Sequence, residues 1–177
     1  MNTIECIKSR RSVREFTDQK VSHPILEQIV EAASFSPSWK NTQISRYVVV
    51  EDNEIKQNIM EYVSEGNKRI LAGTQTLVVV TYIKNRSGFE RDGSYTTKKE
   101  GSWQMFDAGV ASQTFCLAAH ELGVGSVIMG IFDEDEIARV IDLSEDRAVA
   151  ALIAIGYETE HPNAPKRKTV EDLLEYK

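Results

Sequence analysis

Residues 102–131 read SWQMFDAGVASQTFCLAAHELGVGSVIMGI, and the order of elements within that stretch sorts the fold. Met105, Ala108, Gly109, Ala111, Ser112, Phe115, Cys116 and Ala119 describe a helix from about Ser102 to Leu122, the longest in the chain. Gly123 suits the left-handed residue that closes it, and a short apolar strand, Ser126–Ile131, follows. Gly123, Gly125 and Gly130 invite comparison with a dinucleotide fingerprint, but that fingerprint must follow a strand and open a helix. Here the helix comes first, so these glycines do not build a Rossmann site. The small residues Ala108, Gly109, Ala111 and Ser112 let another helix approach closely, which places this helix either in the core or at a subunit interface.

Downstream, Asp133 with Glu136 forms a capping box that opens a helix to about Ile141. Ala148–Tyr157 is a further strand, and the tail from Glu158 carries Pro162 and Pro165, predicting an extended arm. Upstream, residues 84–100 are polar and glycine-containing, a mobile loop and the candidate lid, while Leu77–Ile83 is an apolar run of buried-strand type. Ile55, Ile59, Met60 and Val63 predict one helix from Asn53 to about Ser64, with Gly66 just beyond its end. Within Arg46–Glu51, Tyr47-Val48-Val49-Val50 reads as a buried strand. Before it, Ser22 as N-cap, Pro24 in the first turn and the stripe Ile25, Leu26, Ile29, Val30 and Ala33 define a helix that Ser36-Pro37 ends. Residues 2–12 predict a short helix ending near the arginines.

The chain has 177 residues, 41 % of them hydrophobic and 27 % charged. Those figures fit one domain, 1–177, with a sizeable core. The formal charge of −6 argues against broad nucleic-acid or anionic-membrane binding. No apolar stretch approaches the roughly 20 residues of a membrane span, and no signal-peptide pattern opens the chain. Cys6 and Cys116 lie far apart and outside any C-x-x-C, as expected in a reducing cytoplasm.

Against this acidic background, Lys8, Arg10, Arg11 and Arg14 crowd around Ser12, and Lys166-Arg167-Lys168 lies near the other end. Each cluster alone reads as a solvated basic face or as a cradle for a small anion. Guanidinium forks match phosphate geometry, and a serine hydroxyl can complete the cradle. Metal-ligand spacing is absent around His23, His120 and His161; there is no G-x-x-x-x-G-K-[ST] loop and no G-x-S-x-G elbow. Phosphate-binding arginines without a nucleophile or metal cluster suggest a bound cofactor that supplies the reactivity.

Five segments then align in order with one family. Arg10-Arg11-Ser12-Val13-Arg14-Glu15-Phe16 resembles the R-R-S-x-R-x-F opening of the FMN-dependent nitroreductase family, and Ser36-Pro37-Ser38-Trp39-Lys40-Asn41-Thr42-Gln43 resembles its A-P-S-x-x-N-x-Q loop. Asp107-Ala108-Gly109-Val110-Ala111-Ser112-Gln113 is similar to its central helix. Gly123-Val124-Gly125-Ser126 with Met129-Gly130 is similar to its turn and strand, and Gly156-Tyr157 with Arg167-Lys168 to its ending. The resemblance implies an α+β fold with a mainly antiparallel sheet flanked by helices, an intertwined homodimer with a C-terminal arm, and FMN at the dimer interface. It implies that Arg10, Arg11, Ser12 and Arg14, joined by Arg167 or Lys168, hold the flavin phosphate and ribityl chain. Pro37, Ser38, Trp39 and Asn41 from the partner subunit border the ring, Asn67 touches its pyrimidine edge, and Met129 and Gly130 approach N5. Trp39 reads equally as a packing residue or as a wall of the substrate pocket.

The implied activity is NAD(P)H-dependent transfer of electrons through flavin N5 to an electron-poor small molecule, a nitroaromatic, quinone or relative, with no general acid or base. The alternative readings are a flavoprotein of the same fold with other chemistry, such as dehalogenation, ene reduction or flavin breakdown, or a non-enzymatic flavin-binding redox sensor. Two departures bear on substrate and potential: Gln43-Ile44-Ser45 replaces the family's Q-P-W, and Ile70 stands where some relatives carry a basic residue.

Overall fold

Ile83 closes a strand in which Leu77, Val78, Val79 and Val80 are all fully buried, so both faces of the central sheet are covered. The structure, a computed structural model, describes residues 2–177. In chain order it contains α1 (Thr3–Ser9), α2 (His23–Ser34), β1 (Ser45–Val50), α3 (Asn53–Met60), α4 (Glu65–Gly73), β2 (Thr76–Ile83), α5 (Ser102–Glu121), β3 (Gly125–Met129), α6 (Glu134–Val140) and β4 (Arg147–Gly156). The four strands are ordered β1-β2-β4-β3, and every neighbouring pair is antiparallel. An α+β architecture with a mainly antiparallel sheet is therefore correct. An antiparallel sheet commonly leaves one face wet, which produces alternation; helices on both faces here explain the unbroken apolar run.

Alternate residues of β2 enter two cores. Leu77 and Val79 face Ile59 of α3, Ile70 and Leu71 of α4 and Ile137 of α6. Val78 and Val80 face Leu26 and Ile29 of α2 and Phe115 and Ala119 of α5. Each fully buried side chain of this size contributes about 1.5–3 kcal/mol. α5 ends as expected: Gly123 has φ 75°, and its amide bonds to His120 O at 3.1 Å.

The single helix expected over Asn53–Ser64 is in fact two, and Gly66 lies inside the second rather than beyond the first. Tertiary pairing explains the break. Val63 bridges to Phe132, Ser64 N donates to Ile131 O at 3.2 Å, and Asp133 N donates to Tyr62 O at 2.9 Å. Those backbone groups leave the helix to pair with the chain after β3, and Ser64 becomes the N-cap position of α4. Residues 84–100 carry no helix or strand, yet they are not a free loop. Asn85 N donates to Gln104 Oε1 at 2.6 Å, Trp103 Nε1 donates to Thr97 Oγ1 at 2.9 Å, and Ser87 is buried. Among the described residues no helix is long and apolar enough to cross a membrane.

Candidate functional site

After α1 the chain extends and crosses the ends of β3 and β4. Ser12 bridges to Ser126 in parallel and Phe16 to Glu158 in antiparallel fashion; Val13 N donates to Ser126 O at 3.0 Å and Thr17 N to Tyr157 O at 2.8 Å. This stitching carries the first basic cluster to the place where the C-terminal segment leaves the sheet. Arg10, Arg11, Ser12, Arg14 and Arg167, with Pro162, Asn163 and Pro165, line a cavity of about 300 Å³. The two clusters, remote in sequence, meet within one chain. An adjoining hollow shares Ser12 and Arg14 and adds Glu15, Glu160 and His161. Lys168 is exposed beside Arg167 and does not line the cavity.

The arginines are not equivalent. Arg11 Nη1 folds back onto the carbonyls of Lys8, Ser9 and Arg10 at 2.8, 2.9 and 3.0 Å, closing the end of α1, while its Nε is buried without a partner. Arg14 Nη1 donates to Ser12 O at 3.1 Å. Beside them His120 Nε2 lies 2.7 Å from Ser9 Oγ, and its ring stacks 6.4 Å from that of His161. Burial, then His161, holds the His120 imidazole below its ordinary pKa, with Glu158 opposing and Arg10 and Arg11 reinforcing.

A second group gathers at the far end of β3. Asn67, in the first turn of α4, donates through Nδ2 to Ile131 O at 3.0 Å, which sets it beside Met129 and Gly130. Met129 is buried and Gly130 is exposed. β3 connects this group to the basic cavity: Met129 lies three positions after Ser126, which pairs with Ser12, about 10 Å along a strand.

Pro37, Ser38, Trp39 and Asn41 stand elsewhere, on the loop between α2 and β1. Pro37 and Ser38 line a different cavity, of about 380 Å³, between α2, β1 and α5. The loop is strained: Lys40, Asn41 and Gln43 have φ of 44°, 55° and 47°, conformations that cost of order 1–3 kcal/mol each, least for asparagine. Hydrogen bonds hold it there. Gln43 N donates to Ser38 Oγ at 2.9 Å, and Trp39 N donates to Asp107 Oδ2 at 2.9 Å. Ser87 Oγ donates to the same Asp107 oxygen at 2.5 Å and lies 2.7 Å from Thr42 Oγ1. Because Ser87 spends its only proton on the carboxylate, Thr42 is the donor in the last bond.

Trp39 packs 4.7 Å from Trp103, which meets Phe106 at 5.4 Å. Lys40 bonds Glu90 at 3.0 Å, and Thr96, then Lys40, draws the Glu90 carboxyl below its usual range. Asp107, Ser87 and Thr42 had no assigned role in the sequence. The available signal was a lone carboxylate on the buried stripe of α5, one residue ahead of Ala108.

The family model described as Nitroreductase family matches residues 7–157, a span that includes the first basic cluster, the strained loop and all four strands. The chain belongs to the nitroreductase family. It is 30 % identical over 166 residues to a Methanothermobacter thermautotrophicus protein provisionally named NADH dehydrogenase/NAD(P)H nitroreductase, covering 92 % of this chain and 80 % of that one. A provisionally named nitroreductase from Desulfovibrio desulfuricans, solved in complex with FMN, is 27 % identical with a TM-score of 0.80, covering 100 % of this chain and 98 % of that one. A nitroreductase family protein from Streptococcus pneumoniae shares the fold at a TM-score of 0.88 and 20 % identity, covering 99 % of this chain and 100 % of that one.

Proposed function

We propose that this chain is a single-domain FMN-dependent oxidoreductase that passes electrons from NADH or NADPH to an electron-poor small molecule, a nitroaromatic, quinone or relative, and works as an intertwined homodimer. The observation that carries the reading is the meeting of Arg10, Ser12, Arg14 and Arg167 around one cavity. The fit to FMN rests on the donor set: fixed guanidinium forks and a hydroxyl, with no carboxylate in the lining of that cavity. Arg11 has an unpartnered buried Nε in the same wall. The relative from D. desulfuricans, solved with FMN, adds support at full coverage.

Arg10, Ser12, Arg14 and Arg167 hold the phosphate, with Arg11 behind them and Lys168 adding charge at the mouth. β3 then leads from that cavity to Met129, Gly130 and Asn67, a span that suits an extended ribityl chain, so these three meet the ring end. FMN, when bound, would supply hydride and electron transfer at N5 between the nicotinamide and the acceptor. The chain's own residues bind, orient and exclude water. Pro37, Ser38, Trp39 and Asn41 of the partner subunit complete the ring site.

Unpartnered apolar surface supports the dimer. Met105 and Phe106 are 45 % and 59 % exposed on α5, and Val170, Leu173, Leu174 and Tyr176 are exposed on the tail. β1 is an edge strand, the kind of open edge another chain can cover. Two free buried cysteines fit a cytoplasmic setting.

The test is spectroscopic. The purified protein should be yellow or take up FMN at one equivalent per chain, and anaerobic titration with NADH and then NADPH should bleach it. A colourless protein that FMN neither saturates nor stabilises would refute the assignment. Sedimentation should give a mass of twice 19.9 kDa.

A further inference from the structure

Asp107 is only 3 % exposed, and among the described residues no cation lies within ion-pair distance of it. A carboxylate buried without a counter-ion is expensive unless donors satisfy it. Its donors come from two separate loops: the Trp39 amide at 2.9 Å and the Ser87 hydroxyl at 2.5 Å, with Thr42 donating to Ser87 at 2.7 Å. Trp39 directly precedes the positive-φ pair Lys40 and Asn41, and Gln43 follows two residues later. An isolated segment does not hold such a conformation unless the surroundings over-determine it.

We propose that Asp107 is the positioning residue of the ring-facing loop: one buried carboxylate oxygen fixes Pro37–Asn41 in the conformation that borders the flavin and ties that loop to residues 84–100. This rests on the flavin assignment. Asp107 touches neither the phosphate cavity nor the residues that line it, so its influence falls on the ring and not on the phosphate.

The experiment compares wild type with Asp107→Ala, Asp107→Asn and Ser87→Ala, reading affinity for FMN and for riboflavin, which lacks the phosphate. Asp107→Ala should weaken both flavins by the same factor, about tenfold or more, the equivalent of one lost charge-assisted bond. Asp107→Asn keeps an oxygen for the Trp39 amide and should restore most of the affinity. Ser87→Ala should give an intermediate loss. Trp39 and Trp103 are the only tryptophans in the chain and stack beside the clasp, so the near-ultraviolet circular dichroism of the flavin-free protein should lose its paired-indole signal in Asp107→Ala and keep it in Asp107→Asn.

Unchanged affinity for both flavins in Asp107→Ala, or a loss confined to FMN, overturns the proposal. Should Asp107→Ala fail to fold, Ser87→Ala and Thr42→Val decide by the same readout, and wild-type affinity in both overturns it. A wild-type protein that binds no flavin, yet shows the indole signal lost on Asp107→Ala, refutes the flavin assignment and leaves the loop clasp standing as a structural device.

Discussion

Gly125 and Gly156 face each other across β3 and β4, and both lie beneath the chain segment that carries the first basic cluster. A Cβ on Gly125 would sit 2.9 Å from Val13 Cγ2, and one on Gly156 would sit 2.9 Å from Phe16 Cδ1. Val13 and Phe16 are themselves buried, so neither can swing aside into solvent. The absence of two methyl groups therefore lets Ser12 and Arg14 lie close against the sheet.

Gly125→Ala and Gly156→Ala should each destabilise the fold by about 1–3 kcal/mol, the usual range for overpacking. Urea unfolding measures this as a lowered midpoint at constant slope. Both variants should also hold FMN less tightly, because Ser12 and Arg14 move with Val13 and Phe16. An unchanged midpoint would show that the segment has room to lift.

Removing one guanidinium from the basic cavity tests its proposed occupant. Arg10→Ala and Arg167→Ala should each raise the Kd for FMN by roughly 10- to 100-fold, corresponding to about 1.5–3 kcal/mol for a charge-assisted bond. Riboflavin affinity should hardly change, and the FMN losses should shrink at high salt. Equal losses for both flavins would place the arginines away from the phosphate.

The pH dependence of stability should carry a signature of His120. Its folded pKa lies below the ordinary 6.5 because of burial and His161. Between the two values the unfolded chain binds more protons than the native one, so stability rises with pH. The contribution is therefore complete above about 6.5 and lost as pH falls through the folded value. His23 works the other way: its bond to Glu51 at 2.9 Å raises its pKa, a contribution present below 6.5 and lost as pH rises through the folded value. Comparing wild type with His120→Gln from pH 5 to 8 isolates the first effect, and parallel curves would contradict it.

Tyr47 presents a buried hydroxyl without a partner and a ring stacked 5.3 Å from Phe115. Burial pushes its phenol up to about 12. Tyr47→Phe keeps the stack and removes the stranded polar group, so it should raise stability by about 1 kcal/mol. Thermal unfolding decides, and a lowered midpoint would contradict the reading of a stranded hydroxyl.

The candidate site was legible to unequal degrees. Arg10, Arg11, Arg14 and Arg167 stood out as cations against an acidic chain, with Ser12 among the first three. Asn67 was flagged by resemblance, but its setting was misjudged, because the sequence near Gly66 reads as a helix end and α4 went unseen. Asp107 was visible as part of a motif without any role, since its partners Trp39 and Ser87 come from loops with no periodicity to read.

By itself the amino-acid sequence determined what nearest neighbours can encode: the apolar run of β2, the length of α5, its closure at Gly123, and two islands of positive charge. These follow from side-chain burial preference, helix periodicity and the backbone freedom of glycine, all of which act within a few residues. Tertiary structure alone decided that the helix after Asn53 breaks at Val63, that Asp107 clasps two loops, and that Arg167 meets Arg10 within one chain. Each of these depends on backbone and side-chain groups far apart in the chain finding one another, through the register of the antiparallel strands and the packing of the segment over Gly125 and Gly156.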